Sequence, residues 1–139
     1  MFNTHYMPLV YPASKLRHAQ MWKDLRTIWC KEVVFTGRWP DLVGGVEDSP
    51  AFAKEFWRHD IQDVIRADCV LVYAEAEDRL RGALVEAGAG IATGKHVVLC
   101  GPADHPDFGT WQHHPMVTRV DILEDALAAI IGSWRVGCP

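Results

Sequence analysis

Apolar positions along the chain fall into two kinds of run. Met7-Pro8-Leu9-Val10-Tyr11, Glu32-Val33-Val34-Phe35-Thr36, Cys69-Val70-Leu71-Val72-Tyr73 and His96-Val97-Val98-Leu99-Cys100 are short and almost unbroken. They read as strands, the last two as strands covered on both faces. Pro12 is expected to end the first and Gly37 the second. Between these runs apolar residues recur every three or four positions. Leu16, Ala19, Trp22, Leu25 and Trp29 mark a helix that Ser14 can cap. Phe52, Phe56, Ile61, Val64 and Ile65 mark a second helix, from Pro50 to about Ala67. Gly82 to Thr93 reads as a third helix, ended by Gly94-Lys95. Val117 to Val120 suits a brief fifth strand, and Asp121 with Glu124 forms a capping box for a last helix through about Ile131. The stretches Arg38 to Ser49, Ala74 to Arg81 and Ala103 to Met116 are polar or rich in Gly and Pro, and read as loops.

Strand–helix alternation of this kind predicts an α/β fold: a single doubly wound, mostly parallel sheet of about five strands in the flavodoxin or Rossmann-like order 2-1-3-4-5. Residues 1–139 then form one domain, without internal repeats or linkers. In such sheets ligands sit beyond the carboxyl ends of the strands, where the strand order reverses. That crevice is walled by Tyr11 to Arg17 on one side and Tyr73 to Glu86 on the other.

Composition narrows the picture. The chain is 49% hydrophobic and 23% charged, which excludes disorder, and no apolar run is long enough to span a membrane. The segment Met1 to Met7 lacks the basic start and apolar stretch of a signal peptide. A net charge of −4 disfavours a polynucleotide partner but leaves a single nucleotide possible. Cys30, Cys69, Cys100 and Cys138 lie 39, 31 and 38 residues apart, with no close pair of the zinc-binding kind. They read as reduced thiols of a cytoplasmic protein, Cys69 and Cys100 as small core residues. His105, His113 and His114 share a loop without a carboxylate at ligand spacing, so neither metal nor cofactor is expected.

Three features carry candidate chemistry. Glu86 is the only charge in the thirteen residues from Gly82 to Gly94, on a helix whose Gly88 and Gly90 suggest close backbone packing. Apolar surroundings raise a carboxyl pKa while the helix dipole favours the ionised form. An ionised, poorly hydrated carboxylate is what attack at an anomeric carbon requires. A surface Glu on an amphipathic helix would show the same spacing. Asp60 and Asp63 are three apart on one helix face, so either can reach the crevice or be solvated. Ser14, Lys15 and Arg17 flank a helix start and form a plausible anion seat, without the glycines of a phosphate loop. Trp39, Trp57 and Trp111 lie in or beside loops, where they can stack on a base or cover the core.

The stretch from Asp60 to Lys95 resembles nucleoside 2-deoxyribosyltransferases and the related deoxynucleoside 5′-monophosphate N-glycosidases. Asp60 stands eight residues before Asp68 of Ala67-Asp68, which opens a hydrophobic strand. Gly82, Glu86, Gly88 and Gly94-Lys95 fall in the register Gly-x-x-x-Glu-x-Gly-x-Ala-x-x-x-Gly-Lys, with Gly90 in place of the usual Ala. Tyr11-Pro12-Ala13-Ser14-Lys15 extends the likeness weakly. The resemblance implies Glu86 as nucleophile at C1′, Asp60 as the carboxylate that handles the proton on the base, and Tyr11 as the group positioning the nucleophile. It places Ser14, Lys15, Arg17, Trp39, Asp63 and Gly82 at the substrate, a nucleoside or nucleotide. It also implies a homodimer or larger homo-oligomer in which a partner subunit closes the pocket. Deoxyribosyltransferases often carry an Asp six before the nucleophile, where this chain has Leu80 and a nearby Asp78, so sugar transfer and hydrolysis both stay open. Two rival readings are a non-catalytic nucleotide-sensing module and a phosphoribohydrolase; the latter wants Pro-Gly-Gly-x-Gly-Thr where this chain has Arg81-Gly82-Ala83-Leu84.

Overall fold

The computed structural model describes residues 7–43 and 50–136. Gly44, Gly45 and the rest of 44–49, Cys138 and the first six residues lie outside that set. Five strands, β1 (Leu9–Ala13), β2 (Val34–Phe35), β3 (Cys69–Tyr73), β4 (His96–Cys100) and β5 (Val117–Val120), form one parallel sheet in the order β2-β1-β3-β4-β5. Four helices, α1 (Ala19–Ile28), α2 (Pro50–Arg66), α3 (Gly82–Ala92) and α4 (Leu123–Val136), complete the alternation. This is the doubly wound α/β architecture and strand order that the hydrophobic pattern predicts.

Register decides which side chains meet. Tyr11 pairs with Val70, and Val70 with Val97, so these three share one sheet face. α3 packs on that face so tightly that a Cβ on Gly90 would lie 2.7 Å from Val70 Cγ2. The opposite face carries Tyr73, whose ring meets Trp22 of α1 edge-on at 6.3 Å. α1 and α3 therefore cover opposite faces, and α2 lies beside α3. Gly88, by contrast, has nothing within 4 Å and is exposed, so only Gly90 is required by packing. α3 ends where Gly94 turns left-handed (φ 79°) and donates to Ile91 O, while Lys95 N–H reaches back to Gly90 O.

Several local expectations are corrected. β1 does not stop at Pro12 but runs through it to Ala13. Val10 O accepts from Thr36 N–H, so alternation turns the Pro12 nitrogen toward β2, and β2 has ended by that level. The missing N–H costs no ladder bond, and the Pro12 carbonyl accepts from the Trp39 indole instead, at 2.7 Å. β2 itself shortens to two residues. Ser14 does not cap a helix: a 3-10 turn, Leu16–His18, precedes α1, and neither start has a side-chain cap. Ser14 Oγ accepts from Trp22 Nε1 at 2.8 Å and donates to Lys15 O. On α2 the inward face holds Asp60, Asp63 and Val64, while Ile65 is exposed. α4 starts at Leu123 and runs on to Val136, and Asp121 bonds Arg119 at 2.7 Å.

Candidate active site

At the carboxyl edge of β1 and β3, α2 and α3 enclose a cavity of about 400 Å³. Asp60 and Glu86 line it, and Tyr11 lies buried behind Glu86; the sequence places the three 49 and 26 positions apart. Tyr11 from β1, Asp60 from α2 and Glu86 from α3 are 0%, 4% and 5% exposed. Tyr11 OH donates to Glu86 Oε2 at 2.6 Å, and Glu86 in turn is hydrogen-bonded to Asp60. The strand phase that turns Tyr11 toward α3 and the second-turn position of Glu86 on that helix make this contact.

Burial dominates the electrostatics. It raises Glu86 well above the ordinary carboxyl range, against the lowering pull of the Tyr11 hydroxyl, and the Asp60 charge raises it further. Burial likewise raises Asp60 to about 6; the Glu86 hydrogen bond opposes the shift and the Asp63 charge adds to it. Two carboxyls this close cannot both ionise in a poorly hydrated place, so they titrate as a pair holding one proton. The sequence reading that Glu86 stands ionised is corrected: burial favours its protonated form. Glu86 lies just past the first turn and its orphan N–H groups, where the dipole has faded, and desolvation wins. Tyr11 is raised too, first by burial and then by the Glu86 charge, so its hydroxyl stays a neutral donor.

Of the other residues singled out in the sequence, Ser14, Lys15, Arg17, Trp39 and Gly82 line the same cavity. Asp63 does not. It is fully buried beneath the wall, where Arg38 grips it through Nε (3.0 Å), Nη2 (2.9 Å) and the backbone N–H (3.1 Å). That clamp sets the chain entering the 3-10 turn Trp39–Asp41. Arg17 is engaged as well: Asp78 Oδ1 accepts from its Nε and Nη2 at 2.9 and 2.8 Å, and Glu75 and Glu77 close in at 2.8 and 3.1 Å. His18 Nε2 meets Asp78 Oδ2 at 2.8 Å. Asp78, buried yet held by these donors and the Glu75 N–H, is lowered to about 2. Among the described residues, His18, Glu75 and Asp78 are the group with metal-ligand spacing, and the Arg17 guanidinium already bonds both carboxylates. The loop histidines are dispersed: His105 is buried against Phe108, while His113 and His114 are exposed.

Sequence reasoning missed part of the wall. Phe52 and Phe56 read as core residues, yet with Ala53, Trp57, Leu80 and Arg81 they line the cavity. A spacing of four from Asp60 back to Phe56 and Phe52 was the available signal. Trp57 lies over the start of α3, 3.0 Å from where a Cβ on Gly82 would stand. Trp111 is no cavity residue; its indole donates to Asp107 O at 2.8 Å.

No protein-family model matches the chain, and no curated protein does. Solved structures do. A 2-deoxyribosyltransferase from Bacillus psychrosaccharolyticus superposes with a TM-score of 0.63 at 17% identity, over 86% of this chain and 90% of that one. A conserved protein from Enterococcus faecalis V583 superposes with a TM-score of 0.54, also at 17% identity, over 92% of this chain and 99% of the other. The chain thus has a nucleoside 2-deoxyribosyltransferase-like fold.

Proposed function

We propose that this protein is an enzyme that cleaves the N-glycosidic bond of a deoxynucleoside or its 5′-monophosphate and passes the sugar to another base or to water. The carrying observation is the buried Tyr11–Glu86–Asp60 chain, whose two carboxyls line a cavity walled by aromatic rings. The one-proton pair has the stoichiometry the reaction needs. With the proton on Asp60, Glu86 is a bare carboxylate held by the Tyr11 hydroxyl. Glu86 attacks C1′, the C1′–N bond breaks with its electron pair leaving on the base nitrogen, and the Asp60 proton neutralises the departing base. A glycosyl ester on Glu86 remains. A second base or a water then attacks C1′, returns its proton to Asp60 and frees Glu86.

The wall residues divide the remaining work. Trp39 offers a ring face, its N–H being spent on Pro12 O. Gly82 leaves room for Trp57 and the sugar. Lys15 stands on the side suited to a 5′-phosphate, where Arg17 is already engaged by Asp78, Glu75 and Glu77, while Ser14 acts by holding Trp22 and Asp63 by holding Arg38. We read the chain as one domain of a homo-oligomer, in keeping with the exposed Trp57, Ile65 and Val85 on α2 and α3. Cys30, Cys69 and Cys100 are free thiols, in keeping with a cytoplasmic enzyme. Among the described residues, no helix is long and apolar enough to cross a membrane.

Incubation with a panel of deoxynucleosides and monophosphates, with and without a second base, tests the reading. Free base without acceptor means hydrolysis, and product only with acceptor means transfer. Glu86→Ala is expected to abolish both while the chain stays folded. Failure of every panel member to release base in the parent protein counts against the proposal, as does full activity in the variant.

A further inference from the structure

We infer that Asp107, on the loop that follows β4, is a positioning residue for Glu86: through the Leu80 N–H its carboxylate fixes the entry of α3, and so the place of the Glu86 carboxyl at the cavity. The contact is a matter of geometry; its value to catalysis rests on the proposed glycosidic reading. The first turn of α3 holds no acidic residue, and Arg81 gives it no side-chain cap, so the helix start has no side-chain partner of its own. Asp107 supplies one from 27 residues away, its Oδ2 accepting from Leu80 N–H at 2.7 Å. A carboxylate there also stands at the positive end of the helix. Leu80 is thereby held 5% exposed, and with Arg81, Gly82 and Glu86 it lines the cavity. Glu86 follows Gly82 by about one turn of the same helix, so a shift at the entry carries to the carboxyl that Tyr11 OH meets at 2.6 Å.

The loop around Asp107 is built to hold that carboxylate. The Asp107 N–H donates to His105 Nδ1 at 3.0 Å, and its carbonyl accepts from Trp111 Nε1 at 2.8 Å. The His105 ring stacks on the fully buried Phe108 at 4.9 Å. Phe108 in turn backs Gly101, where a Cβ would stand 3.0 Å from Phe108 Cζ and 2.6 Å from Ala74 O, so the exits of β3 and β4 lie against each other. Because Nδ1 accepts, the His105 ring proton sits on Nε2, which is buried and has no partner among the described residues. An unpaired buried N–H lowers stability; what the ring supplies in return is its hold on the Asp107 backbone. Neither His105, Asp107, Phe108 nor Trp111 lines the cavity, so Asp107 acts through Leu80 and not on substrate.

Asp107→Asn keeps an oxygen for the Leu80 N–H, Asp107→Ala removes it, and neither titrates, so the pair of variants isolates the contact. On a deoxynucleoside that the parent cleaves, Asp107→Ala should lower kcat at least about tenfold, since a displacement of ~1 Å can cost on the order of a hundredfold. KM should change less than about threefold, because Phe52, Phe56 and Trp57 of the α2 wall are untouched. Asp107→Asn should restore kcat to within about threefold of the parent. Two readouts need no substrate. Hydrogen exchange at the Leu80 amide should be at least about tenfold faster in Asp107→Ala than in Asp107→Asn. Stability to urea should also fall less steeply with rising pH in Asp107→Ala, as Glu86 gains water while Tyr11 and Asp60, the titratable groups facing it, stay the same. Equal kcat in the two variants, a kcat loss matched by an equal change in KM, or equal exchange and equal pH slopes would overturn the inference. Should Asp107→Ala not fold, Asp107→Ser, one bond too short for the Leu80 N–H, replaces it; failure of both to fold makes Asp107 a stability residue and overturns the inference as well. If the parent cleaves no nucleoside, the glycosidic reading falls, while exchange and pH slope still decide the positioning. Cleavage without any difference between the two variants sinks the positioning alone.

Discussion

Replacing Glu86 with Gln should stabilise the fold, contrary to the usual result of altering a buried, hydrogen-bonded side chain. Glu86 is held protonated by burial and by the Asp60 charge, whereas in the unfolded chain it ionises near the ordinary value of about 4.3. Above that pH the native state binds a proton that the unfolded state has released, so wild-type stability falls as pH rises until the folded protein itself lets the proton go. The slope for one proton is roughly 1.4 kcal/mol per pH unit. Gln has nothing to titrate. Its carbonyl can still accept from Tyr11 OH, as Oε2 does at 2.6 Å, and its amide can donate to Asp60 in place of the carboxyl. The stability gap between variant and parent should therefore be small at pH 4 and widen by close to that slope through pH 6. Urea unfolding at half-unit pH intervals reads it directly. A gap independent of pH, or a variant less stable than the parent at pH 7, would refute the one-proton pair.

Other substitutions report on neighbouring parts of the argument. Tyr11→Phe removes a charge-assisted hydrogen bond that lowers Glu86, worth about 1.5–3 kcal/mol. kcat/KM should drop at least about tenfold and its rise with pH should move to higher pH; a pH–rate profile on the same substrate checks both, and an unmoved profile contradicts the role. Gly90→Ala places a methyl 2.7 Å from Val70 Cγ2, and the strain should cost about 1–3 kcal/mol in chemical denaturation, whereas Gly88→Ala, with open space around it, should be neutral or better. Arg38→Ala leaves the fully buried Asp63, among the described residues, with Arg66 at 3.4 Å as its ion-pair partner. Half-exposure of the guanidinium tempers the loss of stability in urea, but the Trp39 turn loses its anchor, so quenching of tryptophan fluorescence by ligand should weaken as well.

How far the sequence foretold the molecule follows the range of each interaction. β3 and β4 are legible because strands covered on both faces must be apolar throughout, and the strand–helix alternation points to a doubly wound sheet, for which β2-β1-β3-β4-β5 is one of a few orders. Glu86 stands out as a single charge in a Gly/Ala-rich helix, but its spacing equally suits a surface Glu, and the family register rather than periodicity singled it out. Pro12 misleads because its effect depends on where a neighbouring strand ends, a fact held by residues 34–36. Ser14 misleads for a similar reason: Trp22 claims its hydroxyl across one turn of structure that local capping rules do not foresee. Arg17 looked free until Glu75, Glu77 and Asp78, some sixty residues on, closed around it. Asp60 and Asp63 share a helix face in the sequence, yet Arg38 draws one into the wall and leaves the other to the cavity. Phe52 and Phe56 show the limit of periodicity, since a helix stripe facing a cavity and one facing a core are written alike.

Rapid acid quench of the protein during turnover of a deoxynucleoside, followed by intact-mass and peptide mass spectrometry, goes straight to the chemistry proposed for the floor of the cavity. One added deoxyribosyl group, mapped to Glu86 and absent from Glu86→Gln, is the predicted result. Undiminished base release by that variant, or a sugar adduct on any other side chain, would contradict it.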